Sequence, residues 1–373
     1  RGQERLPAPP RPAGGSTPPM IPCFLAKRRA VLAAGPLLLA ARPAVASPED
    51  ALRRQWARFR DQFMAPEGRV VDTGNGGISH SEGQGWAMLC AVRADDPISF
   101  HRLHGWTMRV LKRPQDELFS WRYAPHAATP VGDANNATDG DLFIAWALLE
   151  AGVRWGDAGH AAQGAALARD ILRRLVRMVG GHLVLMPGLR GFEHQAHVVL
   201  NPSYYAFPAI RALAAAVPDP AWLRLAADGL SLLRRARFGR WGLPPDWLKL
   251  MRDNARLRPA SGWPPRFSYD AVRVPLYFAW VGLTEEPALT AAARFWSDRA
   301  HRHLPAWVDL TNDVVSPYAA SPGIAAVAQL IRALRSSAAI QDCIHQEESA
   351  AVDYYSASLS LLVALAARDS GLC

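Results

Sequence analysis

The sequence has few cysteines and few lysines, and these absences exclude several classes of protein. Its four cysteines include no Cys-x-x-Cys pair, which argues against a zinc site or a framework of disulfides. A single bridge between Cys343 and Cys373 stays open as an alternative to free thiols. Only three lysines occur among 42 basic residues. We attribute this preference for arginine to the base composition of the source genome rather than to function.

The body of the chain also lacks a basic run. The net charge is +9, but residues 1–46 contain seven basic residues and only one acidic residue. The remaining residues are therefore weakly basic with both signs interspersed, and they lack the patch that nucleic acid requires. Walker A, GxGxxG, HExxH and a Ser-His-Asp order are absent as well. The pairs His101/His104 and His301/His303 are interpreted as surface residues rather than ligands.

A short apolar run near the N-terminus predicts an export signal. Residues 27–29 supply a positive segment, residues 30–41 are apolar, and residues 44–46 (Ala-Val-Ala) fit a small-x-small cleavage pattern. The apolar run is too short to span a membrane. We predict that residues 1–46 are an N-terminal extension with a signal peptide. Residues 47–373 then form a single domain that reaches the periplasm or the exterior without a membrane span.

Helical periodicity dominates from Pro48 onward, and alternating strand patterns are nearly missing. His182–Leu185 is the best strand candidate. An α-solenoid is disfavoured because no fixed repeat period is present. About eleven helices, joined by alternating short and long loops, predict an all-α ring of helical hairpins with a cleft at one end. The predicted helices are 49–63, 83–92, 98–111, 140–151, 159–179, 203–216, 221–235, 271–281, 287–299, 323–335 and 352–367, and a twelfth candidate lies at 245–253.

Glu82 stands at the start of a predicted helix among small residues. Glycines flank it on both sides, and Trp86 follows one turn later. Capping by Ser81, with Glu82 offsetting the helix dipole, would explain this pattern without any catalytic role. The glycines nevertheless leave room for a ligand, so Glu82 is a candidate site residue.

A second polar cluster, residues 135–141, contains two asparagines and two aspartates before an apolar helix. Thr138 or Asp139 is expected to cap that helix. The other polar side chains exceed what a cap requires and would suit hydrogen bonding to several hydroxyl groups. Calcium is a competing interpretation, but no bidentate glutamate follows at EF-hand spacing.

Asp270 and Arg273 lie three positions apart at another helix start, so their side chains can face the same way. A surface ion pair is the simpler interpretation, but the aromatic residues around them favour a cleft wall. Tryptophan and tyrosine also recur beside other polar loops. Sugar-binding clefts use these rings because the apolar face of a pyranose stacks on indole.

Four motifs, in this order, resemble those of glycoside hydrolase family 8. They are SEGQG (81–85), ATDGD (137–141), NPSY (201–204) and YDAVRVP (269–275). With Tyr354 and Tyr355 they span about residues 50–365. Trp86 departs from the pattern, since many relatives have tyrosine there, but the aromatic ring is kept. The resemblance implies an (α/α)6 barrel, an inverting mechanism and neither a metal nor an organic cofactor.

The catalytic residues that the resemblance implies are Glu82, as general acid, and Asp270, as general base. The substrate-binding residues that it implies are Asp139 at the cleavage subsite, Arg273 orienting the base, and Trp121 and Tyr204 lining the cleft. Desolvation should raise the pKa of Glu82, whereas Arg273 should keep Asp270 ionised. An inverting mechanism also predicts a separation of about 6.5–9.5 Å between the two carboxyl groups.

The resemblance, together with the predicted export signal, implies a periplasmic or secreted endo-β-1,4-glucanase that acts on β-1,4-glucan, with the cellulose synthase machinery as a candidate partner. The alternatives are the same scaffold acting on chitosan, xylo-oligosaccharide or mixed-linkage glucan, and a non-catalytic glucan-binding component of a cellulose-export system. A cleft for polycationic chitosan should hold a surplus of carboxylates. A binding protein would need the aromatic rings but not paired acids. The sequence shows no strong surplus of carboxylates, and it does contain paired acids. Both points favour a hydrolase of neutral glucan.

Overall fold

The computed structural model describes residues 48–336 and 353–371, all of which belong to one compact unit. The predicted leader and the candidate bridge between Cys343 and Cys373 lie outside these residues. The described helices are α1 (Pro48–Phe63), α2 (Ser81–Arg93), α3 (Pro97–Val110), α4 (Thr138–Trp155), α5 (Ala158–Leu175), α6 (Phe207–Ala216), α7 (Pro220–Arg235), α8 (Arg273–Trp280), α9 (Pro287–Trp296), α10 (Pro322–Ser336) and α11 (Tyr354–Asp369).

Nine short strands accompany the helices in the described residues. The strands are β1 (Ser79–His80), β2 (Arg122–Tyr123), β3 (Val176–Val179), β4 (His182–Leu185), β5 (His197–Leu200), β6 (Leu248–Met251), β7 (Leu257–Pro259), β8 (Arg266–Phe267) and β9 (Val308–Asp309). They form four small antiparallel sheets, with pairings β1–β2, β3–β4, β5–β6–β7 and β8–β9. Strands β1, β5 and β8 each end just before one of the sequence motifs. The sheets therefore hold in place the segments in which these motifs begin.

Each of the eleven predicted helical segments contains a helix, and the strand predicted at His182–Leu185 is confirmed as β4. Two predictions are wrong. The segment 159–179 leaves the helix at Leu175, and its last four residues form β3 against β4. The twelfth candidate at 245–253 is not a helix, because β6 lies there and pairs with β5 on one side and β7 on the other.

Helices α2, α4, α6, α8 and α11 form a closed inner ring in which each contacts the next and α11 contacts α2. Helices α3, α5, α7 and α9 pack on the outside of α2, α4, α6 and α8, while α1 packs on α11 and α10 lies against α8, α9 and α11. The predicted all-α fold, an (α/α)6 barrel, is confirmed. Within the described part of the chain, no helix combines the length and apolarity that crossing a bilayer requires.

Burial follows the position of each helix in the ring. All eight residues of α8 are buried, as are eleven of the thirteen in α2, so these inner helices are covered on every side. The outer helix α7 buries only one face. This contrast is the expected one between helices at the centre of a domain and amphipathic helices at its surface.

Glycines allow α2 and α4 to meet closely at their N-terminal ends. A Cβ atom on Gly140 of α4 would lie 2.7 Å from the backbone nitrogen of Glu82. A Cβ atom on Gly85 of α2 would lie 2.8 Å from Cβ of Phe143. Side chains at these positions would push the helices apart, so the glycines set the separation between the residues that begin the two helices.

Candidate active site

Three carboxyl groups from distant parts of the sequence meet at the N-terminal ends of inner helices. Glu82 lies in the first turn of α2, Asp139 lies in the first turn of α4, and Asp270 lies three residues before α8 begins. All three contact Arg273, the first residue of α8. The structure therefore brings together four of the six site residues that the sequence predicts.

The guanidinium group of Arg273 lies between the three carboxyls. Its Nη2 donates to Asp270 Oδ1 at 2.5 Å, its Nη1 donates to Asp139 Oδ2 at 3.2 Å, and the same Nη1 also donates to Glu82 Oε1. The Arg273 side chain is only 3% exposed, and its cation lies 5.4 Å from the centre of the Trp86 ring. Because a guanidinium does not lose its proton in a protein, the cluster has a fixed positive centre.

The three carboxyls differ in exposure. The side chains of Glu82 and Asp270 are 25% and 31% exposed, whereas that of Asp139 is 1% exposed. A ligand that enters from solvent can thus touch Glu82 and Asp270, while Asp139 lies beneath the surface. This arrangement suits two reacting carboxyls supported by a third.

The prediction that desolvation raises the pKa of Glu82 is wrong for this structure. Burial favours the protonated form, but the charge of Arg273 and the hydrogen bond with Asp139 outweigh it, so the pKa of Glu82 lies below its usual value. Burial, and then the charge of Glu82, instead raise the pKa of Asp139 well above its usual value. The Glu82–Asp139 pair therefore keeps one proton to a higher pH than an isolated carboxyl would, and that proton lies on Asp139.

Asp270 is affected most by burial, which raises its pKa above the usual value. The charge of Arg273 lowers the pKa of Asp270, as the sequence predicts, but it does not cancel the effect of burial. The charge of Glu82 acts in the same direction as burial. Asp270 is consequently a stronger base than an exposed aspartate.

Asp246 belongs to the site but was missed by sequence reasoning. Its buried carboxylate accepts hydrogen bonds from the Ser268 and Ala271 backbone nitrogens at 2.9 and 2.8 Å, and from the Ser268 hydroxyl. These donors flank Asp270 on both sides. Burial, together with the charge of Asp270, raises the pKa of Asp246 to about 7. The only sequence signal is that Asp246 is an acidic residue within an otherwise apolar stretch, residues 243–248.

The expected helix caps are not formed. The residue that caps α2 is His80, and the one that caps α4 is Ala137; neither side chain makes a capping hydrogen bond. The Ser81 hydroxyl is buried without a partner among the described residues. The Thr138 hydroxyl donates to the Met186 carbonyl instead. Both serine and threonine lie one position inside their helices, where the close packing of α2 on α4 decides their contacts.

The surplus polar residues of the segment 135–141 do not point to a ligand, contrary to expectation. Asp141 accepts from the Phe119 backbone nitrogen at 2.9 Å and from Asn136 Nδ2 at 2.8 Å. The Asn136 and Asn135 side chains bond to backbone atoms of Leu189 and Arg190. These side chains hold three loops together, and Asp139 alone reaches the carboxyl cluster.

The two predicted cleft residues, Trp121 and Tyr204, lie beside the cluster and are only partly buried. The Trp121 ring stacks on His80 with centroids 6.2 Å apart, and its carbonyl accepts from the Ser81 nitrogen at 3.0 Å. Burial, together with the charges of Asp139, Asp270 and Glu82, raises the pKa of Tyr204 well above its usual value. Neither ring is sealed in the core.

A row of further rings continues from Tyr204. Its centroid lies 6.3 Å from that of Trp247, which stacks at 4.8 Å on Trp263 and at 5.6 Å on Phe192. All three added rings are partly exposed. A row of partly exposed rings next to paired carboxyls suits a chain of sugars, because pyranose faces stack on aromatic rings.

A helical barrel with two accessible carboxyls and adjacent aromatic rings at one end has the groups that glycoside hydrolysis requires. Comparison with known proteins agrees. The pattern of glycosyl hydrolases family 8 matches residues 29–369. The chain belongs to this family and is a glycoside hydrolase.

Three relatives show how far the similarity extends. A probable endoglucanase from Novacetimonas hansenii is 46% identical over 336 residues, which cover 90% of this chain and 96% of the relative. An endoglucanase from Cellulomonas uda is 43% identical over 276 residues, covering 74% and 76%. The solved structure of the endo-β-1,4-glucanase CMCax from Acetobacter xylinum superposes with a TM-score of 0.81 at 45% identity, covering 87% of this chain and all 100% of that one.

Proposed function

We propose that this chain is an endo-β-1,4-glucanase that cleaves β-1,4-glucan with inversion, with Glu82 as general acid and Asp270 as general base. One observation carries the proposal: Arg273 bonds to both carboxyls, and both are accessible while the guanidinium is buried. The relatives are named endoglucanases, and the matching solved structure is an endo-β-1,4-glucanase, which supports β-1,4-glucan as the substrate. The separation of about 6.5–9.5 Å that an inverting pair requires stays a prediction.

Asp270 takes a proton from water as the water attacks the anomeric carbon. Arg273 holds one carboxylate oxygen at 2.5 Å, and the side chain is 31% exposed, so a water can reach the carboxylate. Asp246 fixes the backbone on either side of Asp270. A base that is held in place before the reaction loses less entropy when the transition state forms.

Glu82 donates a proton to the leaving oxygen, and Asp139 is the source of that proton. In the free enzyme the proton lies on Asp139, since Arg273 favours the ionised form of Glu82. A sugar that covers Glu82 and weakens its contact with Arg273 moves the shared proton to Glu82. In this scheme Asp139 holds the sugar at the cleavage subsite and also keeps the acid protonated.

Asp139→Asn is expected to move the basic limb of the pH profile of kcat/KM to lower pH. Asparagine cannot hold the proton that the raised pKa of Asp139 keeps in the pair. The acid that remains is Glu82, whose pKa Arg273 lowers, so the pair loses its last proton at lower pH. The limb is measured with a soluble glucan between pH 4 and about 9. A lower plateau with an unmoved limb would mean that Asp139 only binds the sugar.

Asp246→Ala is expected to lower kcat by about 10-fold or more with little change in KM, because three donors around Asp270 lose their acceptor and the base loses its position. Asp246→Asn keeps an oxygen for the two backbone donors and should restore most of kcat. The kcat and KM of each variant are measured at a temperature at which circular dichroism shows that the variant is fully folded.

Asp228→Ala is the matched control for Asp246→Ala. Asp228 is also a largely buried carboxylate, and it accepts from the Leu183 backbone nitrogen at 2.7 Å, away from the carboxyl cluster. Its removal should lower stability and leave kcat unchanged. Equal losses of kcat in the two alanine variants would show that Asp246 acts through general stability.

The substrate class is tested by measuring reducing ends released from carboxymethylcellulose, chitosan and xylan in parallel. The cluster contains one guanidinium among its three carboxyls, and the adjacent row of rings is uncharged, which favours a neutral glucan over chitosan. A rapid fall in viscosity relative to the reducing ends released would indicate internal cleavage. Faster hydrolysis of chitosan or xylan than of carboxymethylcellulose would indicate that the same scaffold acts on that polysaccharide instead.

Residues 1–46 are proposed to be an export leader, with the mature chain in the periplasm or outside the cell and near a cellulose synthase. The support is the basic, apolar and small-residue pattern that ends at Ala46. Mass spectrometry of the exported protein is expected to give a start near Ser47. Recovery of protein that still carries residues 20–46 from that compartment would contradict the proposal that this segment is a cleaved leader. Failure to co-purify with a cellulose synthase would contradict the proposed association.

A further inference from the structure

Four side chains of two outer helices form a cluster that takes no part in the contacts of Arg273. His101 and His104 lie three positions apart on α3, and Asp157 and His160 lie at the start of α5. One ligand atom each from His101, Asp157 and His160 all lie within 4.8 Å of one another. The prediction that His101 and His104 are surface residues is right for His101 but not for His104, whose Nε2 is buried.

His101 is oriented so that one ring nitrogen is free to bind a metal. Its Nδ1 lies 2.6 Å from the Pro97 carbonyl oxygen. A carbonyl oxygen can only accept, so Nδ1 carries the hydrogen and Nε2 keeps its lone pair. Histidines that bind metals are commonly fixed in this way, with the other ring nitrogen bonded to a backbone carbonyl.

Asp157 is held by the backbone of α5. Its Oδ1 accepts from the nitrogens of Gly159 and His160 at 2.8 and 3.0 Å. Its Oδ2 lies 3.6 Å from His160 Nδ1, too far for a hydrogen bond. Two ligands of a tetrahedral zinc, each about 2.0–2.2 Å from the metal, lie about 3.3–3.6 Å apart. The spacing between Asp157 and His160 therefore fits a shared metal better than a direct bond.

The two remaining histidines have buried nitrogens that lack a partner. Nε2 of His160 and Nε2 of His104 are both inaccessible and unbonded among the described residues. His160 is only 8% exposed, and its ring centroid lies 4.9 Å from that of His104. A buried nitrogen left unpaired costs stability, so Nε2 of His104, whose ring packs on that of His160, points to a missing ligand. Phe100 and Trp155 pack around the same rings and limit water access.

We propose that this cluster binds one zinc ion through His101, Asp157 and His160, with His104 or water in the fourth position. Imidazole nitrogens with a single carboxylate suit zinc and are poor ligands for magnesium or calcium. A small shift of the exposed His101 side chain, with its hydrogen bond to Pro97 kept, brings its Nε2 into the coordination sphere. The ion joins α3 to α5 on the outside of the barrel and stabilises the two helix hairpins that carry Glu82 and Asp139.

The test uses the untagged full chain, freed of metal by a chelator and titrated with Zn²⁺ by calorimetry. We expect one zinc per chain with a dissociation constant in the micromolar range or below, a rise of a few degrees in Tm, and no response to Mg²⁺. His101→Gln and Asp157→Asn should each weaken binding at least about 10-fold. Both should keep the metal-free Tm and hydrolysis, since His101 is exposed and asparagine still caps α5.

His126→Gln is the matched control, since His126 is an exposed histidine outside the cluster, and it should bind zinc like the parent chain. Zinc binding that is absent, or that does not approach one ion per chain, overturns the proposal. So does binding that both His101→Gln and Asp157→Asn retain, because the ion then lies elsewhere.

Discussion

Asp270→Asn is expected to lose hydrolysis by about 10²–10⁴-fold on both cellulose and aryl cello-oligosaccharides. Asparagine retains the shape and one oxygen for Arg273, but it cannot take a proton from the attacking water. The quality of the leaving group does not alter this loss, since the attacking water lacks its base with either substrate. Initial rates on carboxymethylcellulose and on a dinitrophenyl cellobioside measure it.

The smaller variant Asp270→Ala makes room for an added nucleophile. Azide should restore turnover of the aryl substrate in this variant and give an α-glycosyl azide. The parent enzyme should release an α-configured product first from a β-glucan, which proton NMR detects before the anomers equilibrate. An initial β product would indicate a covalent intermediate, and the roles of Glu82 and Asp270 would then have to be discarded.

The barrel and the positions of the acids were predictable because both depend on local sequence. The helices follow from apolar periodicity, and Glu82, Asp139 and Asp270 stand at or beside helix starts in recognisable motifs. The inner helices of such a ring begin at the same end wherever they alternate with outer ones. Helix starts that are far apart in sequence consequently come together.

The electrostatics of the site were not predictable from local sequence. Arg273 is 191 positions from Glu82 in the chain, yet its contact reverses the pKa shift that burial alone would give. Asp246 was missed for a related reason: its partners are backbone nitrogens 22 and 25 positions away, which no side-chain motif records. Ser81 was predicted to be a helix cap because the sequence around Ser81 does not show that Gly140 of another helix packs against it.

One consequence of this network is that acid and base are not independent. Arg273 bonds to both, and the charge of Glu82 raises the pKa of Asp270. When the proton of Asp139 passes to Glu82, the negative charge moves from Glu82 to Asp139, which also accepts from Arg273. Because Arg273 contacts all three carboxyls, substrate binding protonates the acid without changing the net charge beside the base.

Glu82→Gln separates the two roles most sharply, because glutamine keeps the size of the side chain and removes only the transferable proton. We expect a loss of about 10²–10⁴-fold on carboxymethylcellulose, whose leaving alcohol needs protonation, and a much smaller loss on dinitrophenyl cellobioside, whose leaving phenolate does not. The basic limb of the pH profile on carboxymethylcellulose should also vanish, since position 82 no longer holds an acid that can be deprotonated. Both substrates are assayed with Asp228→Asn as a control for folding. Equal losses on the two substrates would contradict the assignment, because a residue that positioned the sugar or the base, rather than donating a proton, would slow both alike.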